Sequence, residues 1–250
     1  MLKYRILVEN FLKDKVCTKL HSKSDFLKKY YRTDLNVLGL SLPVQRQISK
    51  DGFEFSNQPI EVQLRIWDDI FHTTDLHEAK FQALFFLESV LKKINNELIW
   101  EKAKHWVKGI DNWAHSDLLS SVYSKMLEQN GDMIYPQLVK WNISKFHWER
   151  RQSVVSLLYY RRNRKKFLAF EKMISLVENL LEDEEYYVQK GVGWTLRELW
   201  QVDEKMTEQF LLKNLSRISS IAYIAAVEKV PVEKRNEWKL NRKDFRSKKA

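Results

Sequence analysis

Three stretches of the 250-residue chain carry residue types and spacings that can do chemistry. In Asp111-Asn112-Trp113-Ala114-His115-Ser116-Asp117, the indole of Trp113 and the carboxylate of Asp117 are four positions apart and share a face if the segment is helical. A ring face attracts positive charge and a carboxylate completes the field, so such a pair can stabilise a cation. A core indole followed by an exposed carboxylate one turn later has the same spacing. In Trp148-Glu149-Arg150-Arg151, Arg151 lies 34 residues beyond Asp117. Its guanidinium can hold a phosphate through paired hydrogen bonds, or form a surface ion pair with Glu149. In the segment 188–198, Lys190, Trp194 and Arg197 fall at i, i+4 and i+7, and Trp194 lies 43 residues past Arg151. That stripe suits gripping phosphate while laying a ring on sugar or base, although a packed indole between snorkelling cations looks alike. Gly191 and Gly193 sit inside the same helical run, where each costs about 1 kcal/mol relative to alanine. They predict close approach of another helix or of a nucleic-acid backbone.

Other chemistries find little support. The six histidines (His21, His72, His77, His105, His115 and His147) show no metal-ligand spacing, HExxH is absent, and no glycine-rich phosphate loop appears. Ser116 beside His115 is not a triad signature, because sequence neighbours seldom share one site's geometry. The single cysteine, Cys17, excludes an internal disulfide and a cysteine-based zinc cluster, and fits a reducing compartment. No metal or cofactor is expected. A net charge of +10, from 43 Lys and Arg against 33 Asp and Glu, suggests a polyanionic partner.

The elements that must position these residues are helices. Hydrophobic residues make up 44% of the chain, with only 6 Gly and 4 Pro to break helices. Phe81, Leu84, Phe85, Leu87, Val90 and Leu91 form one broad helical stripe, and Val154, Val155, Leu157 and Leu158 repeat it. A further set is Leu168, Met173, Leu176, Val177 and Leu180. Asn57, Pro59 and Glu61 mark one helix start, and Asn95 and Asn96 before Glu97 mark another. About a dozen helices and no strand are expected. Those in the middle of the chain come in pairs of roughly 35 to 45 residues, the period of HEAT-type repeats. The fold class expected is therefore all-α, a HEAT-like helical repeat solenoid with a concave basic face, a compact bundle being the alternative. In a solenoid, residues one repeat apart stand side by side along that face. Residues 1–240 are expected as one domain and 241–250 as a basic, disordered tail. The first twenty residues read as an amphipathic helix and not a signal peptide, and no apolar run approaches the roughly 20 residues that span a bilayer. A soluble, cytoplasmic monomer without membrane contact is the expectation.

The motifs and their order resemble the AlkD family of DNA glycosylases. WxxxD at Trp113 to Asp117, Trp-x-x-Arg at Trp148 to Arg151 and QKGVGWTLRE from Gln189 carry the resemblance, the last being the most specific. The run LGLSLP from Leu38, followed by Arg46, is similar to an early segment of that family, and the likeness extends from about Leu38 to Lys229. The resemblance implies that Asp117 is the catalytic carboxylate, that Trp113 and Trp194 are aromatic walls around the deoxyribose, and that Arg151 holds backbone phosphate. From charge alone, Lys190 and Arg197 also contact phosphate. Two places depart from the family pattern. Asn112 and Ala114 flank the first indole where the family often has Trp and Asp, and the segment 219–224 lacks a pair of arginines, although Arg217 lies nearby.

The function this implies is hydrolysis of the N-glycosidic bond of cationic alkylated purines, 7-methylguanine or 3-methyladenine in type, in double-stranded DNA. The base would not be enclosed in a pocket. Two other readings remain open: a non-catalytic repeat protein that binds distorted or branched DNA, and a protein-interaction solenoid.

Overall fold

A computed structural model describes residues 1–16, 21–91, 96–159 and 161–247. Cys17 and Asn95, which figure in the sequence argument, lie outside these residues. Fourteen α-helices account for the described chain, with short 3-10 turns between some of them. The described residues form no sheet, and their single strand-like feature is an isolated parallel bridge between Asn36 and Leu76. None of the described helices is long and apolar enough to cross a membrane. The chain divides into two compact units, Met1–Val122 and Tyr123–Ala250, with the boundary inside the seventh helix.

The first unit is built around α5 (His77–Val90). α4 (Ile60–Thr73) starts where Pro59 takes the N-cap position, with Glu61 in its first turn, as the sequence signals require. Its apolar side, Leu64, Ile66, Trp67, Ile70 and Phe71, packs on α5. α1 (Leu2–Asp14) buries Val8 and Leu12 against α4 and α5, and α3 (Leu42–Asp51) covers another side of α5. The stripe expected along α5 is only part of its buried surface, because every residue from His77 to Leu87 is buried. A helix covered on all sides must find partners for its polar residues inside the core. Glu78 accepts from the amides of Leu38 (3.0 Å) and Gly39 (2.9 Å). Gln82 donates to the Gln45 carbonyl at 3.0 Å, and Lys80 donates to the carbonyls of Phe71 (2.7 Å) and Gly109 (2.9 Å). The remaining helices of this unit are α2 (His21–Tyr31), α6 (Asn96–Ala103) and the first turns of α7 (Trp113–Gln129).

The second unit shows the paired pattern read from the sequence. α8 (Gly131–Asn142) pairs with α9 (His147–Val155), α10 (Phe170–Asn179) with α11 (Tyr186–Trp200), and α12 (Glu204–Lys213) precedes the short α13 (Ser220–Ala226). α9, α11 and α13 pack side by side in one row. The two glycines of α11 explain how closely. A Cβ on Gly193 would fall 2.3 Å from the Ala222 carbonyl oxygen of α13, and one on Gly191 would meet Val155 of α9 at 3.0 Å. Of the two partners the glycines could admit, helices on both sides are what the fold supplies. Buried amides tie the row together: Gln189 donates to the carbonyls of Leu180 and Asp183, both at 2.8 Å, and accepts from the Ser219 hydroxyl at 2.6 Å. Asp203 and Ser219 cap α12 and α13.

α14 (Val232–Ser247) runs into the segment expected as a frayed tail. Arg242 is buried, donates to the Ile218 carbonyl at 2.7 Å and lies 4.8 Å over the ring of Tyr223.

Candidate functional site

In the first unit the candidate site is the start of α7, held from below by a polar network. The Asn112 side chain caps the helix, its Oδ1 accepting from the amides of Ala114 (3.0 Å) and His115 (3.1 Å). Its Nδ2 donates to Asp111 at 2.6 Å and to Nδ1 of His115 at 2.9 Å. That bond makes Nδ1 an acceptor and leaves the proton on Nε2, which donates to the His77 carbonyl at 3.1 Å. The Thr33 hydroxyl donates to Asp111. Burial raises the Asp111 carboxyl, but the hydrogen bonds it accepts from Thr33 and Asn112 hold the group below the usual carboxylate range. The chain after α2, the start of α5 and the first turn of α7 are thus joined through neutral donors and one carboxylate.

An aromatic stack lies alongside. Tyr31 lies nearly parallel to the His77 ring at 4.5 Å, and His77 meets His115 at 4.4 Å and Phe81 at 5.0 Å. His77 is 1% exposed, and neither ring nitrogen has a hydrogen-bond partner. Burial drives its pKa down to about 2, and burial likewise lowers that of His115. Burial also brings the Lys80 amine down to about 8, against the pull of Asp111.

On this base stands Trp113, half-buried, meeting Tyr30 edge-on at 5.4 Å and Tyr31 at 5.7 Å, its indole N–H directed to the Tyr30 carbonyl at 3.4 Å. Asp117 follows one turn later and is also half-buried. The structure therefore keeps these two sequence-predicted residues together and partly open to solvent. Tyr30, Tyr31, Thr33 and His77 escaped the sequence argument because no spacing relates the end of α2 to the start of α7. Asn112, which departs from the family pattern, turns out to be the residue that starts the helix.

In the second unit, α11 buries Val188, Val192, Thr195, Leu196 and Leu199, and its remaining face carries Lys190, Trp194 and Arg197. Lys190 is exposed, while Trp194 is half-buried and stacks on Tyr159 at 5.4 Å. The Arg197 guanidinium lies 5.7 Å from the Trp194 ring centre and is bonded to Glu228 at 2.6 Å and Glu198 at 3.2 Å. Arg161 shares Glu198 at 3.2 Å. Arg197 is thus on the expected face, with its charge engaged by two carboxylates. Arg151 was expected as a phosphate ligand, with an ion pair to Glu149 as the alternative. It is 6% exposed, donates to the Tyr187 carbonyl at 2.7 Å and packs beneath Gly191, which makes it a brace between α9 and α11. Its neighbour Arg150 forms a largely buried ion pair, binding Asp183 through Nε at 2.6 Å and Nη2 at 3.2 Å. Arg217 is paired with Glu178 and Glu182.

The architecture has known counterparts. A structure described as a predicted DNA alkylation repair enzyme from Enterococcus faecalis is similar with a TM-score of 0.72 and 14% identity, covering 85% of this chain and 96% of that one. AlkD2 from Streptococcus mutans is similar with a TM-score of 0.56 and 18% identity, covering 84% of this chain and 98% of that one. A third, smu.31 from Streptococcus mutans UA159, gives the same score and identity over 83% and 98%. At such identities the likeness is one of fold, an all-helical repeat architecture. No curated protein matches the chain significantly. The family model described as DNA alkylation repair enzyme matches residues 20–230, so the chain belongs to that family and its role lies in DNA alkylation repair.

Proposed function

We propose that this protein is a monofunctional DNA glycosylase that releases cationic N-alkylated purines from duplex DNA, with Asp117 as its catalytic carboxylate. The observation that carries the reading is the pairing of a partly exposed carboxylate and indole at the start of one helix whose first turn is pinned by Asn112, His115 and Asp111. The substrate class follows from what such a pair can do. A purine alkylated at N7 or N3 carries a formal positive charge and leaves without prior protonation. As the C1′–N9 bond breaks, its electron pair neutralises the purine and positive charge moves onto the deoxyribose. A carboxylate within about 4 Å of that charge, with an indole face beside it, stabilises it by several kcal/mol where water is partly excluded. Water then adds to C1′, its proton passing to Asp117 or to solvent, and an abasic site remains. Uncharged lesions lack the built-in leaving group and are expected to be poor substrates.

Lys190 and Trp194 are assigned to the same DNA, Lys190 as a phosphate contact and Trp194 as a ring laid on sugar. Arg197 contributes to phosphate binding when it exchanges Glu228 for DNA. Arg151 acts by holding α11 in place.

The test is release of 7-methylguanine from methylated duplex DNA. Removing one preorganised charge stabiliser typically costs on the order of 10²–10³ in rate, and the Asp117→Asn variant should lose that much while binding DNA almost as well. Unchanged release in that variant would end the assignment.

A further inference from the structure

α2 carries a feature that neither the helical core nor the Trp113–Asp117 pair accounts for. Phe26 is 64% exposed and Tyr30 is 55% exposed, one helical turn apart. Their rings are nearly parallel (10°) with centres 6.0 Å apart, and the Tyr30 ring continues onto Trp113. Large aromatic rings left in water forfeit the stabilisation that burial gives, so a pair of them beside a functional indole points to a ligand with flat apolar faces. The surrounding charge specifies the ligand further. Lys23, Lys28 and Lys29 lie on this helix against Asp25 alone, Lys23 and Lys29 being exposed, and Arg32 follows directly. Flat faces on a polyanionic chain describe nucleobases on a phosphate backbone, and stacked aromatics interleaved with cations are how proteins hold unpaired strands.

We propose that Phe26 and Tyr30 form a stacking platform for an unpaired nucleobase of the DNA, continuous with the indole of Trp113. The proposal rests on the reading that DNA is the ligand, and adds which part of it α2 takes. A base unstacked by distortion of the duplex at a lesion has lost its stacking neighbour. A ring pair beside the site replaces that neighbour, whatever the base, because every base has a π face.

The test uses undamaged duplexes, so that it stands apart from base release. A duplex with a single-nucleotide bulge of 2-aminopurine is compared with a fully paired duplex, following affinity and 2-aminopurine fluorescence. The wild type should quench the bulged probe and prefer it about tenfold, and Phe26→Ala should abolish both while its affinity for paired duplex stays within about twofold. Phe26 lies outside the core, and an unchanged thermal melt will show that the variant is folded. No quenching by the wild type, or the same quenching by Phe26→Ala, overturns the platform. Loss of self-association in Phe26→Ala with no change in quenching overturns it too, marking the face as a protein contact. Phe26-dependent quenching by a wild-type protein that releases no methylated purine keeps the platform and removes the glycosylase reading. Normal release without quenching does the reverse.

Discussion

The start of α7 and the middle of α11 each present a tryptophan beside a charged residue, yet different physics holds them. Around α7 two charged groups are buried and a third, Asp111, is half-buried, and all meet backbone or side-chain dipoles: Lys80 reaches two carbonyls, Glu78 two amides, and Asp111 a hydroxyl and an amide. Around α11 they meet each other, in a half-buried chain of Arg161, Glu198 and Arg197 that opens to solvent at Glu228. A buried group with a fixed hydrogen-bond partner defines one geometry, because leaving it unpaired costs 1–3 kcal/mol or more. An ion pair open to solvent on one side, as Arg197 with Glu228 is, is worth about 0–1 kcal/mol and can be exchanged for another anion. The contrast assigns rigidity to the carboxylate and its indole, and exchangeable charge to the phosphate-binding face.

The largest effect that can break this comparison is an acid one. His77 and His115 are held below the ordinary imidazole value by burial, so the unfolded chain takes up their protons first as pH falls below about 6.5. Stability present above that pH is then lost toward lower pH, at about 1.4 kcal/mol per unit for His77, or about 2 kcal/mol between pH 6.5 and 5, with His115 acting in the same direction. Urea unfolding across that range should show the slope. His77→Phe should remove its share of that slope and, by removing two unpartnered ring nitrogens, stabilise the protein at neutral pH by about 1 kcal/mol. A slope unchanged in that variant would show that the stack under Trp113 is not the acid-sensitive element.

A smaller effect separates the two glycines of α11. Alanine at 193 must push the α13 backbone away, and overpacking of that kind costs about 1–3 kcal/mol against about 1 kcal/mol gained in helix propensity. Alanine at 191 meets side chains and not backbone, the Val155 methyl at 3.0 Å and the Arg151 guanidinium at 3.3 Å. Urea midpoints should therefore fall for Gly193→Ala and stay nearly level for Gly191→Ala. Equal midpoints would mean that the close approach of α13 is not what the glycine serves.

The smallest effect sharpens the electrostatic half. Glu228→Gln releases Arg197 from its 2.6 Å partner at little cost in stability. DNA affinity should rise about two- to threefold at low salt, and the dependence of log affinity on log salt should steepen by up to about one. An unchanged slope would remove Arg197 from the phosphate contacts.

Much of this was legible from local pattern. The 3.6-residue period, the scarcity of glycine and proline and the proline start at Pro59 determined an all-helical chain with paired helices. Spacing placed Trp113 with Asp117 on one face, and Lys190, Trp194 and Arg197 on another, because a helix relates residues three and four apart without outside help. The glycines announced a close approach before its partner was known.

What the sequence could not decide were the contacts between segments distant in the chain. Arg151 and Arg150 are adjacent and chemically identical, and only packing sends one beneath Gly191 and the other out to Asp183. Composition assigned residues 241–250 to solvent, while the carbonyl of Ile218 draws Arg242 inside. The seat of the indole is made by Tyr30 and Tyr31 from a helix more than eighty residues earlier. Periodicity acts along one helix, whereas burial and hydrogen-bond satisfaction are settled only when separate helices meet.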